Sequence, residues 1–186
     1  MIKVIVFVLL NITFINSSYC AQLKEPQLST DRLSKVIKKY QFVTIGEARF
    51  TILFWKLYRS KLLTTSGNYP VNFNDEKLIY EINYLASISS SELINRTVEQ
   101  WQHLKIPKVK YQGYLSSLAS IWPDISKGDK LALFIDKGRS LFYFNDNYIG
   151  EIDSPEFGQI FLDIWLSENT SEPSLRRDLL GINNNE

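Results

Sequence analysis

Ser140-Leu141-Phe142-Tyr143-Phe144-Asn145-Asp146-Asn147-Tyr148-Ile149-Gly150-Glu151-Ile152 reads as two strands around a polar tripeptide. Asn and Asp tolerate positive φ, so Asn145-Asp146-Asn147 predicts a hairpin turn. A helix start follows at once. Ser154-Pro155-Glu156 places proline at the first helical position, and Phe157, Ile160, Phe161, Ile164 and Trp165 repeat as an apolar helical stripe. A hairpin running into a helix points to α+β organisation, because parallel βαβ units need a crossover between strands.

Working outward, a last short helix is expected from Pro173 to Leu180, ending at Gly181. Upstream, Lys130 to Asp136 predicts a strand. Two helices precede it: one capped by Ser89 with Glu92 and carrying Leu93, Ile94, Thr97, Val98, Trp101 and Leu104, the other carrying Tyr111, Tyr114, Leu115, Leu118, Ile121 and Trp122. Lys77 to Leu85 alternates cleanly. Leu78, Tyr80, Ile82 and Tyr84 face one way, and Glu81 and Asn83 the other. Phe42 to Ile45 and Ala48 to Leu63 are strand-like with Gly46 as a bend, and Leu33, Val36, Ile37 and Tyr40 mark a first helix.

The first 21 residues differ in kind. Lys3 precedes an apolar run from Val4 to Ile15, then small and polar residues to Ala21, the pattern of an export signal. The run is short of the roughly 20 apolar residues of a membrane span. The expected organisation is a signal peptide at 1–21, a linker at 22–30 and one domain at 31–186, acting in the periplasm or outside the cell. Cys20 is the single cysteine. If it leaves with the signal, disulfide and thiolate chemistry are excluded. Lipidation of Cys20 is the competing reading, and Ser17-Ser18-Tyr19 before it fits that poorly.

A composition of 45% hydrophobic and 22% charged residues describes a folded domain. The net charge of +1 gives no electrostatic case for nucleic acid or an anionic membrane as partner. Membrane contact is expected only through an uncleaved signal or a lipidated Cys20. With one histidine, His103, no histidine metal site assembles within one chain, and no cofactor is expected.

Arg49 is the notable charge. It follows Gly46-Glu47-Ala48 and opens the apolar run Phe50 to Tyr58. An arginine entering a core strand must be paired or face a cleft. One reading is a salt bridge to Glu47 or Glu151. The other is an anion anchor at the end of an apolar cleft, since guanidinium holds a carboxylate by paired hydrogen bonds.

Three segments carry a family resemblance: Gly46-Glu47-Ala48-Arg49-Phe50 into Leu53-Phe54-Trp55-Lys56-Leu57-Tyr58, the helix from Ser91 to Trp101, and the run from Phe142 to Gly181. Together they resemble the chalcone isomerase-like superfamily, in its exported bacterial branch. The resemblance implies a large antiparallel sheet with a layer of helices on one face and a ligand cleft between them. The family's isomerases use an arginine and a threonine on the long strands, and a tyrosine and an asparagine on the central helix. Arg49 matches the arginine and Tyr58 falls at the threonine. The helix positions fall at Leu93 or Ile94 and at Gln100 or Trp101, so neither is kept. Arg49 and Tyr58 are also an odd number of residues apart, which in an uninterrupted strand puts them on opposite faces.

Other members of the superfamily bind fatty acids without catalysis. The expected function is therefore non-catalytic binding of a small apolar or acidic ligand, with Arg49, Phe54, Tyr58, Tyr80, Tyr84 and Trp101 at the site. The alternatives are an isomerase or intramolecular lyase using Arg49, and a protein-interaction module with a filled core.

Overall fold

The computed structural model describes residues 31–52 and 55–182. The expected signal peptide and linker, with Cys20, and also Phe54, lie outside the described residues. Among the described residues, six strands form one antiparallel sheet in chain order: β1 (Val43–Ile52), β2 (Trp55–Thr64), β3 (Leu78–Tyr84), β4 (Lys130–Asp136), β5 (Arg139–Phe144) and β6 (Asn147–Asp153). The β5–β6 hairpin turns at Asn145 and Asp146, whose φ values are 48° and 75°. The predicted hairpin is therefore formed at the expected residues.

The N-terminal strands correct one expectation. Phe50 to Tyr58 is not one strand: β1 ends at Ile52, opposite Trp55 at the start of β2. The run contains no Gly, Pro, Asn or Asp to mark a reversal, so local signals could not show it. Two register shifts, at Thr44/Gly46 and Phe50/Thr51, bend β1. Gly46 has a second role. A Cβ there would lie 2.1 Å from the Asp178 carbonyl oxygen and 2.6 Å from that of Leu179, so glycine lets the C-terminal helix seat on β1.

Five α-helices accompany one face of the sheet or its edge. These are α2 (Ser90–His103), α3 (Lys108–Tyr111), α4 (Leu115–Ile121), α5 (Pro155–Leu166) and α6 (Pro173–Leu179). Ser89 Oγ accepts from the Glu92 backbone N–H at 3.2 Å, the expected cap of α2. The expected second central helix is broken into α3, a 3-10 turn containing Gly113, and α4. Between helices and sheet, Trp101, Trp122, Phe142, Phe157 and Phe161 join the inward residues of β3 in the main core.

A further helix, α1 (Leu33–Tyr40), packs on the opposite face. It covers Leu63, Ile79, Phe134 and Leu141. Asp146 ties its first turn, accepting from Ser34 N at 2.6 Å and Ser34 Oγ at 2.9 Å. Lys77 anchors its end, pairing with Asp136 while its Nζ sits 4.9 Å from the Tyr40 ring centre. The layer of helices on one face is as expected, and α1 adds cover where β2–β5 turn apolar side chains outward.

Candidate functional site

The strands dictate what can face the helices. Ala48 is buried and Phe50 half-buried on the inner face of β1, and Tyr58 stands opposite Phe50 on β2. Tyr84 in turn stands opposite Tyr58 on β3. Ring centres lie 5.1 Å apart for Phe50 and Tyr58 and 6.1 Å for Tyr58 and Tyr84. Three adjacent strands thus lay down an aromatic floor.

Helices α2 and α5 do not close onto this floor, and a cleft of ≈ 660 Å³ remains. Leu93 and Thr97 of α2 form one wall, and Phe161, Ile164 and Trp165 of α5 the other. The volume lies within the roughly 300–1,000 Å³ of small-molecule sites. Its rim is charged: Arg96 of α2 pairs with Glu99 at 2.9 Å and approaches Glu92 at 3.8 Å.

Inside, polar atoms are sparse and mostly engaged. Thr97 Oγ1 donates to the Leu93 carbonyl at 2.9 Å. Gln100 Oε1 accepts from Ser171 Oγ at 2.8 Å. The Tyr58 hydroxyl oxygen accepts from Trp165 Nε1 at 2.9 Å, which leaves its own proton able to meet a ligand. Burial holds the Tyr58 hydroxyl pKa well above the usual tyrosine range, against the opposing effect of the Trp165 bond. Burial does the same to Tyr84, helped by its neighbour Tyr58. Both are neutral donors at ordinary pH rather than bases.

Of the residues expected at the site, the structure brings Tyr58 and Tyr84 to the cleft. Arg49 is elsewhere. It is exposed, between inward-facing Ala48 and Phe50, so strand alternation turns it to the opposite face. The proposed salt bridges are also made by others: Glu47 with Lys61 at 2.7 Å, Glu151 with Arg139 at 3.7 Å. Tyr80 is only 1% exposed. It lies two inward positions along β3 from Tyr84, beyond Ile82, under Trp165, with ring centres 4.5 Å apart. Trp101 is fully buried one turn beyond Thr97, where α2 meets α5. Its indole N–H donates to the Ile160 carbonyl at 2.8 Å and its ring stacks on Tyr111. Tyr80 and Trp101 are therefore core residues.

Phe161, Ile164 and Trp165 of the cleft wall were legible only as a helical apolar stripe. Nothing in that pattern separates the part that meets the sheet from the part that does not.

A family model described as chalcone isomerase-like matches residues 48–181. The chain belongs to the chalcone isomerase-like family. A solved structure of a fatty-acid binding protein of Arabidopsis thaliana superposes with a TM-score of 0.59 at 14% identity, covering 75% of this chain and 86% of that one. An uncharacterized protein of Haemophilus influenzae is 26% identical over 137 residues, which is 74% of this chain and 67% of that protein.

Within this chalcone isomerase-like fold, the cleft is equipped for shape and apolar contact more than for charge. Leu93 of α2 presents an aliphatic wall. Among the described lining residues, Arg96 is the one cation, and it is held at the rim by glutamates. Enolate stabilisation needs donors or cations aimed at the developing charge. Tyr58 and Tyr84 offer neutral donors.

Proposed function

We propose that this is an exported chalcone isomerase-like protein that binds a small apolar ligand without transforming it. The observation that carries this reading is the open cleft with an aromatic floor, into which Tyr58 and Tyr84 bring neutral hydroxyls. A chain of roughly ten methylenes buried there would gain about 8 kcal/mol of transfer free energy before ordering costs. A fatty-acid-like molecule suits these walls, its polar end accepting from Tyr58. The likeness of fold to a fatty-acid binding protein of Arabidopsis thaliana supports the same class. Export rests on the residue pattern of the first 21 positions.

Titration of tryptophan fluorescence with a long-chain acid tests the proposal, because Trp165 stands in the wall. Saturable change is expected, and Leu93→Trp, which fills the cleft, should abolish it while leaving the thermal transition in place. Absence of binding, or equal binding by the filled variant, overturns the cleft assignment. Catalysed chalcone cyclisation above the buffer rate would instead establish an isomerase. For export, the N-terminus of the protein recovered from its host should lie between Ala21 and Leu23, and an intact Met1 would count against it.

A further inference from the structure

The outer face of the β1–β2 hairpin is built of charge. On three successive rungs the register sets Glu47 opposite Lys61, Arg49 opposite Arg59, and Thr51 opposite Lys56. Glu47 and Lys61 balance one another at 2.7 Å. The next rung pairs two exposed arginines, and the one after adds exposed Lys56. Asn83 of β3 stands beside Arg59, and Lys130 of β4 beside Asn83. Lys130 reaches Glu81 at 3.3 Å. Five cations and two carboxylates therefore share this corner of the sheet, a net +3 in a chain whose total is +1. A chain-wide balance says nothing about where charges lie.

Directly opposed like charges on neighbouring strands are destabilising. Such a pair on an open face is a feature that an anion would relieve. The apolar cover of this sheet face, helix α1, lies over Leu63, Ile79 and Phe134 instead. At the margin of the basic corner, Ile52 is 50% exposed and also lines the cleft. We propose that this corner docks on an anionic lipid surface, with Ile52 at its edge, so that the cleft opens beside the bilayer. An exposed aliphatic side chain beside basic residues suits the boundary between headgroups and acyl chains. The proposal rests on charge and register and is independent of what the cleft holds.

The experiment is vesicle co-sedimentation of the full chain, using phosphatidylcholine alone and phosphatidylcholine with one-third phosphatidylglycerol. Each basic residue near an anionic surface strengthens binding about fivefold, so Arg49→Gln combined with Arg59→Gln should weaken it about thirtyfold. Glu47→Gln should strengthen it about fivefold, and added salt should suppress all of these differences. An apolar N-terminal segment would bind both vesicle types alike and leave the differences unchanged. If the double variant does not fold, the Glu47→Gln comparison and the salt dependence carry the test. Equal binding to both vesicle types, or equal binding by all variants, overturns the proposal. Retention on duplex DNA or a sulfated polysaccharide without vesicle binding overturns it in favour of another polyanion.

Discussion

Replacing Trp101 by phenylalanine separates a ligand-lining residue from a core residue. In the structure Trp101 is fully buried, stacks on Tyr111 at 5.0 Å, meets Phe157 edge-on at 6.5 Å and donates to Ile160 at 2.8 Å. Phenylalanine keeps the six-membered ring but leaves a void on the order of 40 Å³, costing about 1 kcal/mol. The lost apolar burial adds about 1 kcal/mol. Ile160 lies within α5, so its carbonyl keeps its helical partner and loses only the second bond, about 1 kcal/mol. The expected loss is about 3 kcal/mol, a fall of roughly 6–12 °C in Tm for a domain of this size. Circular dichroism melts read the stability, and a long-chain acid titration reads the cleft. Because Trp101 does not line the cleft, affinity should stay within about twofold, roughly 0.4 kcal/mol. An unchanged Tm with a tenfold weaker ligand would show that Trp101 faces the ligand and that the packing described here is wrong.

Tyr58→Phe should weaken a ligand with a polar end about fivefold, the worth of one neutral hydrogen bond, and calorimetric titration against a hydrocarbon lacking that end should show no difference. Gly46→Ala places a Cβ 2.1 Å from a backbone oxygen of α6, so the helix must move off β1. The expected cost is about 3 kcal/mol, read by urea denaturation, and a neutral result would mean that α6 is not seated there. At high pH the buried tyrosines resist ionisation. Burial raises Tyr58, Tyr80 and Tyr84 well above the usual range and pushes Tyr143 up to about 12. Since these folded pKa values exceed the unfolded ones, their stabilising contribution is whole below about pH 10 and, for Tyr143, is lost as pH climbs through about 12. Tyrosinate absorbance followed beside circular dichroism should show these four titrating with unfolding, and their ionisation near pH 10 in a folded chain would contradict the burial.

Local chemistry alone determined a good deal of this protein. The period-2 alternation of Leu78 to Tyr84 told which side chains meet the core, because successive strand residues point to opposite faces. Asn145 and Asp146 marked a hairpin through their tolerance of positive φ, Ser89 marked a helix start, and Pro155 marked another. The parity of Arg49 and Tyr58 assumed one strand, and since the two lie on β1 and β2 it is their pairing, not their spacing, that sets which way each points. Only the tertiary structure decided the reversal between Ile52 and Trp55, since no turn residue announces it and pairing of β1 with β2 supplies the reason. It also decided which aromatics are wall and which are core. Tyr58, Tyr80, Tyr84 and Trp101 are alike in the sequence. What divides them is where α2 and α5 stand off the sheet and where they close on it, a matter of helix placement that no residue states by itself. Charge behaved the same way. A near-neutral chain carries a basic corner because antiparallel register brought Arg49 and Arg59, ten residues apart, to the same rung.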